Sequence, residues 1–280
     1  MVHSLKTSLL LIISMVFSVC SAQKDLFLQV ESNINHYMVE MMSSDNDTEK
    51  YNLNEQIKEE FDRVLFRKNA HRYSFENLKH ISVLTPKDKS FKIITWHLER
   101  NNETYIYSGY ITFFSKEVKS QVVIPLMDFS FKMSNVAKQT YTPEYWFGML
   151  YYDIITVEKA GRKYYTLLGW DGNDEVTDKK IIDVLWFDNE RRPRFGAPLF
   201  VSDLGIQNRF ILEYHQLAAV SIDYDPNEKR IVYDDIQPLD GNSFELKGTF
   251  IPTLNFHALK FDGKMWQKIE QIDISKLIKK

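Results

Sequence analysis

The stretch Lys163–Asp188, KYYTLLGWDGNDEVTDKKIIDVLWFD, sets two apolar runs on either side of an acidic corner. The runs YYTLLGW and KIIDVLWF are short and rich in aromatic and β-branched residues, which suits strands. Asp171-Gly172-Asn173 between them supplies the residues that tolerate the positive φ of a tight hairpin. The alternation Asp171, Asn173, Glu175 also imitates the start of a calcium loop. Such a loop requires a glycine at its sixth place and a bidentate acid at its twelfth. Val176 and Ile182 stand there instead, so the corner reads as a turn.

The same grammar extends outward. From about His80 come ISVLT, FKIITWHLE, TYIYSGYITFF, QVVIPL, FGMLYYDIITVE, RFILEYH, AAVSIDYD, RIVYDDI, FHALKF and MWQKIE. Asn101-Asn102, Gly161, Asp225-Pro226-Asn227 and Asp262-Gly263 punctuate them. Strand follows strand with no long helix between, which predicts a mainly β, antiparallel fold closed as a barrel, a sandwich or a small propeller. FKIITWHLE and YYTLLGWDG share a pattern, but two matches do not establish a repeat. DYDPNEKRIVYD again mimics a calcium loop through Asp223, Asp225, Asn227 and Asp234. Glu228 replaces the required glycine there, and Asp-Pro-Asn is a turn signal by itself.

Before the strands, Leu26, Val30, Ile34, Met38 and Met41 recur at helical spacing, as do Leu53, Ile57, Phe61 and Leu65. SSDNDTEK separates the two helices, and Asn52 with Glu55 suggests a capping box for the second. Ahead of them, Lys6 precedes the apolar Leu9–Val19, and CSAQ follows. That is the layout of a secretory signal, too short to span a bilayer. Cleavage is expected after Ala22. Lipoprotein processing at Cys20 is the alternative, with bulky Val19 against it. The expected division is a signal peptide at 1–22, a helical segment at 23–70 and an antiparallel β domain at 71–280, exported to the periplasm or the exterior.

Cys20 is the only cysteine, so the mature chain has no disulfide and no thiolate, and its core must supply its stability. Its 39 aromatic residues can do so. Removing Lys6 takes the formal net charge from −3 to −4, which leaves no basic footprint for nucleic acid. The C-terminal KLIKK reads as a solvated tail, and the sequons at Asn46 and Asn102 as chance. No second apolar run is long enough for a transmembrane segment.

Several phrases in order, DKSFKIITWHLE, YWFGMLYYDII, KYYTLLGWDGND, KKIIDVLWFD, PRFGAPLF and RFILEYHQLAAVSIDYDPNEKRIVYDDIQP, resemble a family of exported β-rich proteins of Gram-negative bacteria. The resemblance runs from about His71 to Trp266. It implies export and a β-rich fold, and brings with it no activity, cofactor or catalytic residue.

Chemical motifs are sparse. His36, His71, His80, His97, His215 and His257 include no HExxH pair, and there is no G-x-S-x-G elbow, P-loop or G-x-G-x-x-G. His97 and His215 end strand-like runs, the ordinary place for a half-buried, hydrogen-bonded imidazole. No metal and no cofactor is implied. The remaining candidates are acids beside aromatic rings: Glu144 beside Tyr145 and Trp146, Asp171 beside Trp170, and Glu213 two residues before His215. A glycan-binding surface uses ring platforms, and a glycosidase adds a protonated and an ionised acid about 5–10 Å apart. The sequence therefore favours a non-catalytic binding or structural module with a glycan or envelope partner. A carboxylate-dependent glycan hydrolase is the alternative.

Overall fold

In a computed structural model, the structure describes residues 24–203, 205–239 and 250–273. The export segment, Cys20, the cleavage position after Ala22 and the KLIKK tail lie outside the described residues. The chain divides into two compact units, one of 24–80 with 114–122, the other of 81–113 with the residues from 123 onward.

The first unit is built on two helices, α1 (24–43) and α2 (Asp47–Leu65). Val30, Ile34, Met38 and Met41 on α1 are buried, as are Leu53, Ile57, Phe61 and Leu65 on α2. Each stripe is therefore one helix face turned inward. Phe27, not Leu26, completes the buried face of α1. The cap of α2 is Asn46, whose Oδ1 accepts from the N–H groups of Thr48 and Glu49. Asn52 and Glu55 lie inside the helix, because only residues 44–46 interrupt it. Buried Glu31 fastens the segment after the helices. It accepts from Tyr73 Oη at 2.6 Å, Asn77 N at 3.0 Å and Asn77 Nδ2 at 2.8 Å.

The second unit is mainly β. Its strands are β1 (Ser82–Leu84), β2 (Lys92–Glu99), β3 (Tyr105–Ser115), β4 (Ser120–Met127), β5 (Leu150–Lys159), β6 (Arg162–Asp171) and β7 (Thr177–Phe187). There follow β8 (Pro193–Phe195), β9 (Phe200–Ser202), β10 (Gly205–Gln207), β11 (Phe210–His215), β12 (Ile222–Asp225), β13 (Arg230–Pro238), β14 (Phe250–Phe261) and β15 (Trp266–Ile269). The ends of β3 and β4 belong to the first unit. Three sheets result: β1-β2-β3-β4; β11-β7-β6-β5, with β8 beside β7; and β10-β9-β15-β14-β13-β12. Pairing is antiparallel except at β15 with β9. Among the described residues none of the three sheets closes on itself, which is consistent with a sandwich.

The middle sheet explains the opening sequence. Along β7, Ile181 and Leu185 enter one core, while Ile182 and Val184 enter another. Alternate side chains of a strand point to opposite faces, so a strand covered on both faces reads as a continuous apolar run. The first core joins Phe91, Ile93, Tyr107 and Leu126 of the four-stranded sheet's side to the middle sheet. The second joins Ile222, Ile231, Leu259 and Trp266 of the six-stranded sheet to it.

One polar set interrupts the first of these cores. Asp183 and Arg209 are both fully buried, with Arg209 Nε 2.9 Å from Asp183 Oδ1. Tyr151 Oη donates to Asp183 Oδ2 at 3.2 Å and accepts from Trp146 Nε1 at 3.0 Å. Arg209 Nη1 donates to the carbonyls of Val136 and Gln139, and its guanidinium lies over the Tyr141 ring at 5.0 Å. This arginine fixes the irregular segment 136–141, whose Tyr141 also makes a two-bond bridge with Phe195.

Candidate functional site

The β6–β7 corner is a turn held by its own polar side chains. Asp174 Oδ1 accepts from the N–H groups of Val176 and Thr177, each at 3.0 Å. The left-handed residue is Asn173 (φ 49°), not Gly172. Glycine is needed at 172 for a different reason: a Cβ there would lie 2.3 Å from the Tyr105 ring. Asp225 does the same work in the second acidic corner, accepting from Asn227 N at 3.1 Å and pairing with Arg230 at 3.3 Å. Among the described residues, no group of three or more His, Cys, Asp or Glu side chains is placed to hold a metal ion.

The middle sheet brings four sequence-nominated residues to one end: Trp170, Asp171, Glu213 and His215. Asp171 pairs in register with Lys179, and Lys179 with Glu213, so these three share a face. Asp171 is buried. Its Oδ1 accepts from Tyr107 Oη at 3.1 Å and Asn173 N at 2.9 Å, and its Oδ2 faces Lys179 Nζ at 3.8 Å. Burial pushes the Asp171 carboxyl up, against the opposing pull of Lys179. Lys179 also donates to Asn173 Oδ1, and Thr177 Oγ1 donates to Glu213 Oε1 at 3.0 Å. His215 Nδ1 accepts from Leu217 N at 3.1 Å, closing the turn after β11.

Trp170 donates from Nε1 to Asp178 Oδ2 at 3.2 Å. Its ring meets His97 and Tyr105 edge-to-face, at centroid separations of 5.5 and 5.3 Å, and those two rings lie 5.6 Å apart. Rings this close fill the space between them, so the trio is a packed cluster and not a cage. Burial, with Glu99 and Asp178 nearby, pushes the Tyr105 hydroxyl up to about 12. Burial also raises the Asp178 carboxyl and lowers the Lys180 ammonium, which rests 4.8 Å from the centre of the Tyr152 ring.

Among the described residues, Trp146 reaches that end only through Tyr107, whose ring it meets edge-to-face at a centroid separation of 6.5 Å and whose hydroxyl donates to Asp171. Trp146 is fully buried in the core, against Tyr151 and Phe195. Glu144 is exposed on a short 3-10 turn (Pro143–Tyr145). Beside it is a surface that the strand pattern did not reveal. Phe131 is 74% exposed, Tyr145 59% and Met127 50%. The half-buried Phe129 ring supports both aromatic neighbours, stacked on Phe131 at 5.9 Å and tilted against Tyr145 at 5.0 Å. Lys132 Nζ sits 5.5 Å from the Phe129 centroid and 5.2 Å from that of Phe131.

This platform is fixed from below. Trp146 N donates to Met127 O at 3.0 Å, and Phe129 N to Trp146 O at 2.9 Å, so the two turns are bonded backbone to backbone. Asp128 accepts from Tyr107 N and from Ser130 N, each at 2.9 Å, tying β3 to the first residue of the 3-10 turn that carries Phe131 and Lys132. Gly148 leaves room for that carboxylate; a Cβ there would lie 2.4 Å from Asp128 Cγ. Met133 and Val136 turn inward onto the core, which leaves Phe131 and Lys132 outward. The signal in the sequence is DFSFK, two phenylalanines spaced by two in a segment without strand character.

Fold and site together define a mainly β, antiparallel protein with an organised aromatic surface. A scan against protein-family models, a search of curated proteins and a search of solved structures each give no match. Among the described residues, no helix is long and apolar enough to cross a membrane.

Proposed function

We propose that this protein is an exported module of the bacterial envelope or exterior that binds a partner without transforming it, and that the Phe129–Phe131–Tyr145 platform is its contact surface. The observation that carries this reading is the pair of strongly exposed rings on turns tied to the core through Trp146 and Asp128. Exposing large rings is unfavourable in water, and a patch of them marks an interaction surface. Rigid aromatic side chains also give up little conformational freedom on binding. Export rests on the sequence alone, on the apolar Leu9–Val19 and the small residues that follow.

The hydrolase alternative has one observation in its favour, the raised carboxyl of buried Asp171. A general acid must offer its proton to the substrate. Both oxygens of Asp171 already face partners, Tyr107 and Asn173 on one, Lys179 on the other. Asp171 is therefore held by the sheet, which supports the binding reading over the hydrolase.

Two measurements test the reading. A reporter fused after Gln23 and active only outside the cytoplasm is expected to be active in a Gram-negative host. The full chain is expected to sediment with an isolated envelope fraction, and F131A/Y145A to remain in the supernatant with an unchanged melting temperature. Co-sedimentation unaffected by that double substitution refutes the platform as contact surface. New reducing ends in a polysaccharide digest, lost in D171N, would establish the hydrolase instead.

A further inference from the structure

The acidic corner between β6 and β7 brings together an amine, a carboxamide and a buried carboxyl. We propose that these three groups form a covalent cross-link within the folded chain: the Lys179 amine displaces ammonia from the side-chain amide of Asn173, with Asp171 as the base.

The nucleophile and its target are already in contact. Lys179 Nζ donates to Asn173 Oδ1, so the amine lies one hydrogen bond from the carbonyl. The amide is held in that orientation, because its Nδ2 donates to Asp174 Oδ2 at 3.0 Å and to Thr177 Oγ1. The Asn173 backbone is left-handed (φ 49°), and its N–H donates to Asp171 Oδ1 at 2.9 Å. Fixing two reactants in this way supplies the effective concentration that an amine and an unactivated amide lack in solution.

The base is placed by burial. Asp171 Oδ2 lies 3.8 Å from Lys179 Nζ, and the Asp171 side chain is 8% exposed. Loss of water favours the neutral form of a carboxyl. Burial raises that of Asp171, with Lys179 pulling the other way, so it takes up a proton more readily than a carboxylate in water. A lysine becomes a nucleophile once a neighbouring group has taken its proton.

The step balances without an oxidant or a cofactor. The Lys179 ammonium passes one proton to the Asp171 carboxylate, and the free amine attacks Asn173 Cγ. A second proton moves from the attacking nitrogen to Nδ2, the Cγ–Nδ2 bond breaks and ammonia leaves. An amide between Nζ and Cγ remains, beside a neutral Asp171. The product ties the corner of the central hairpin of the middle sheet, in a chain whose single cysteine allows no internal disulfide.

A glutamyl endopeptidase tests this on the full chain, because it cuts after Glu175, between the two residues. After unfolding and digestion of the wild-type protein, tandem mass spectrometry should find residues 173 and 179 in one branched species, lighter than its two parts by one ammonia. K179R, which keeps the charge but has no amine to transfer, should release the parts separately. D171N, freshly purified, should be mostly unlinked, and should link about a hundredfold more slowly, the scale of a positioned base. Parts that separate in the wild-type digest would refute the cross-link, even where Asn173 has lost ammonia by cyclising on its own backbone. A branched species in K179R would overturn Lys179 as the nucleophile. D171N fully linked on purification would overturn Asp171 as the base.

Discussion

The buried pair of Asp183 and Arg209 offers the sharpest energetic test of this fold. Both side chains are fully buried, so neither charge has water to fall back on. Arg209 is held by Asp183 at 2.9 Å, by two carbonyls and by the Tyr141 ring; Asp183 by Arg209 and Tyr151. Removing either partner strands the other charge in the core, which costs about 3–5 kcal/mol. D183N keeps the volume and an acceptor for Tyr151 but leaves the guanidinium uncompensated. R209M keeps most of the volume but leaves the carboxylate uncompensated and releases the 136–141 segment. The double variant D183N/R209M buries no net charge, so it should cost far less than the two single variants summed, with a coupling of about 3 kcal/mol or more. All five tryptophans lie in the second unit, so urea unfolding followed by tryptophan fluorescence isolates its stability. A single variant costing under about 1 kcal/mol, or single costs that add up to the double, would refute the claim that this pair is a desolvated charge couple.

Further outcomes follow from other residues. Burial lowers the Lys92 ammonium to about 8. Between pH 8 and 10.5 the unfolded chain then binds the extra proton, so stability should rise with pH, by on the order of 3 kcal/mol from this group; K92M should lose that rise in a pH series of unfolding curves. G148A should destabilise by about 1–3 kcal/mol, because its Cβ displaces the Asp128 carboxylate, and a wild-type melting temperature would contradict that packing. E31Q turns one of three accepting positions into a donor facing donors, at a cost of about 1–3 kcal/mol, read by chemical unfolding followed through helical circular dichroism. Millimolar calcium should leave the melting temperature unchanged, since Asp174 and Asp225 are engaged in capping turns; a rise of several degrees would show a bound ion.

Most of the fold was legible because its signals are local. Four-residue stripes marked α1 and α2, and runs such as FKIITWHLE and KIIDVLWF marked long strands, since burial on a helix face or sheet imposes a short period on the chain. The three-residue strands β8, β9 and β10 escaped, while the equally short β1 was legible because it lies inside the longer apolar run ISVLT. Asn52 was a plausible cap until the chain showed a break only at 44–46. Of the nominated site residues, Trp170, Asp171, Glu213 and His215 meet because hairpin pairing places 171, 179 and 213 in register. Trp146 went to the core, for which nothing in EYWFG distinguishes it from its exposed neighbour Tyr145.

By itself, then, the amino-acid sequence determined where the backbone is helical, where it is extended and where it reverses, because those choices depend on side chains within a few residues of one another. It did not determine which of three sheets each strand joins, that β7 is covered on both faces, or that Asp183 finds Arg209 26 residues away. Nor did it say that Phe131 stands in water while Met133 does not. Those outcomes depend on groups distant along the chain competing for one limited interior, and only the folded arrangement decides which of them water is left to touch.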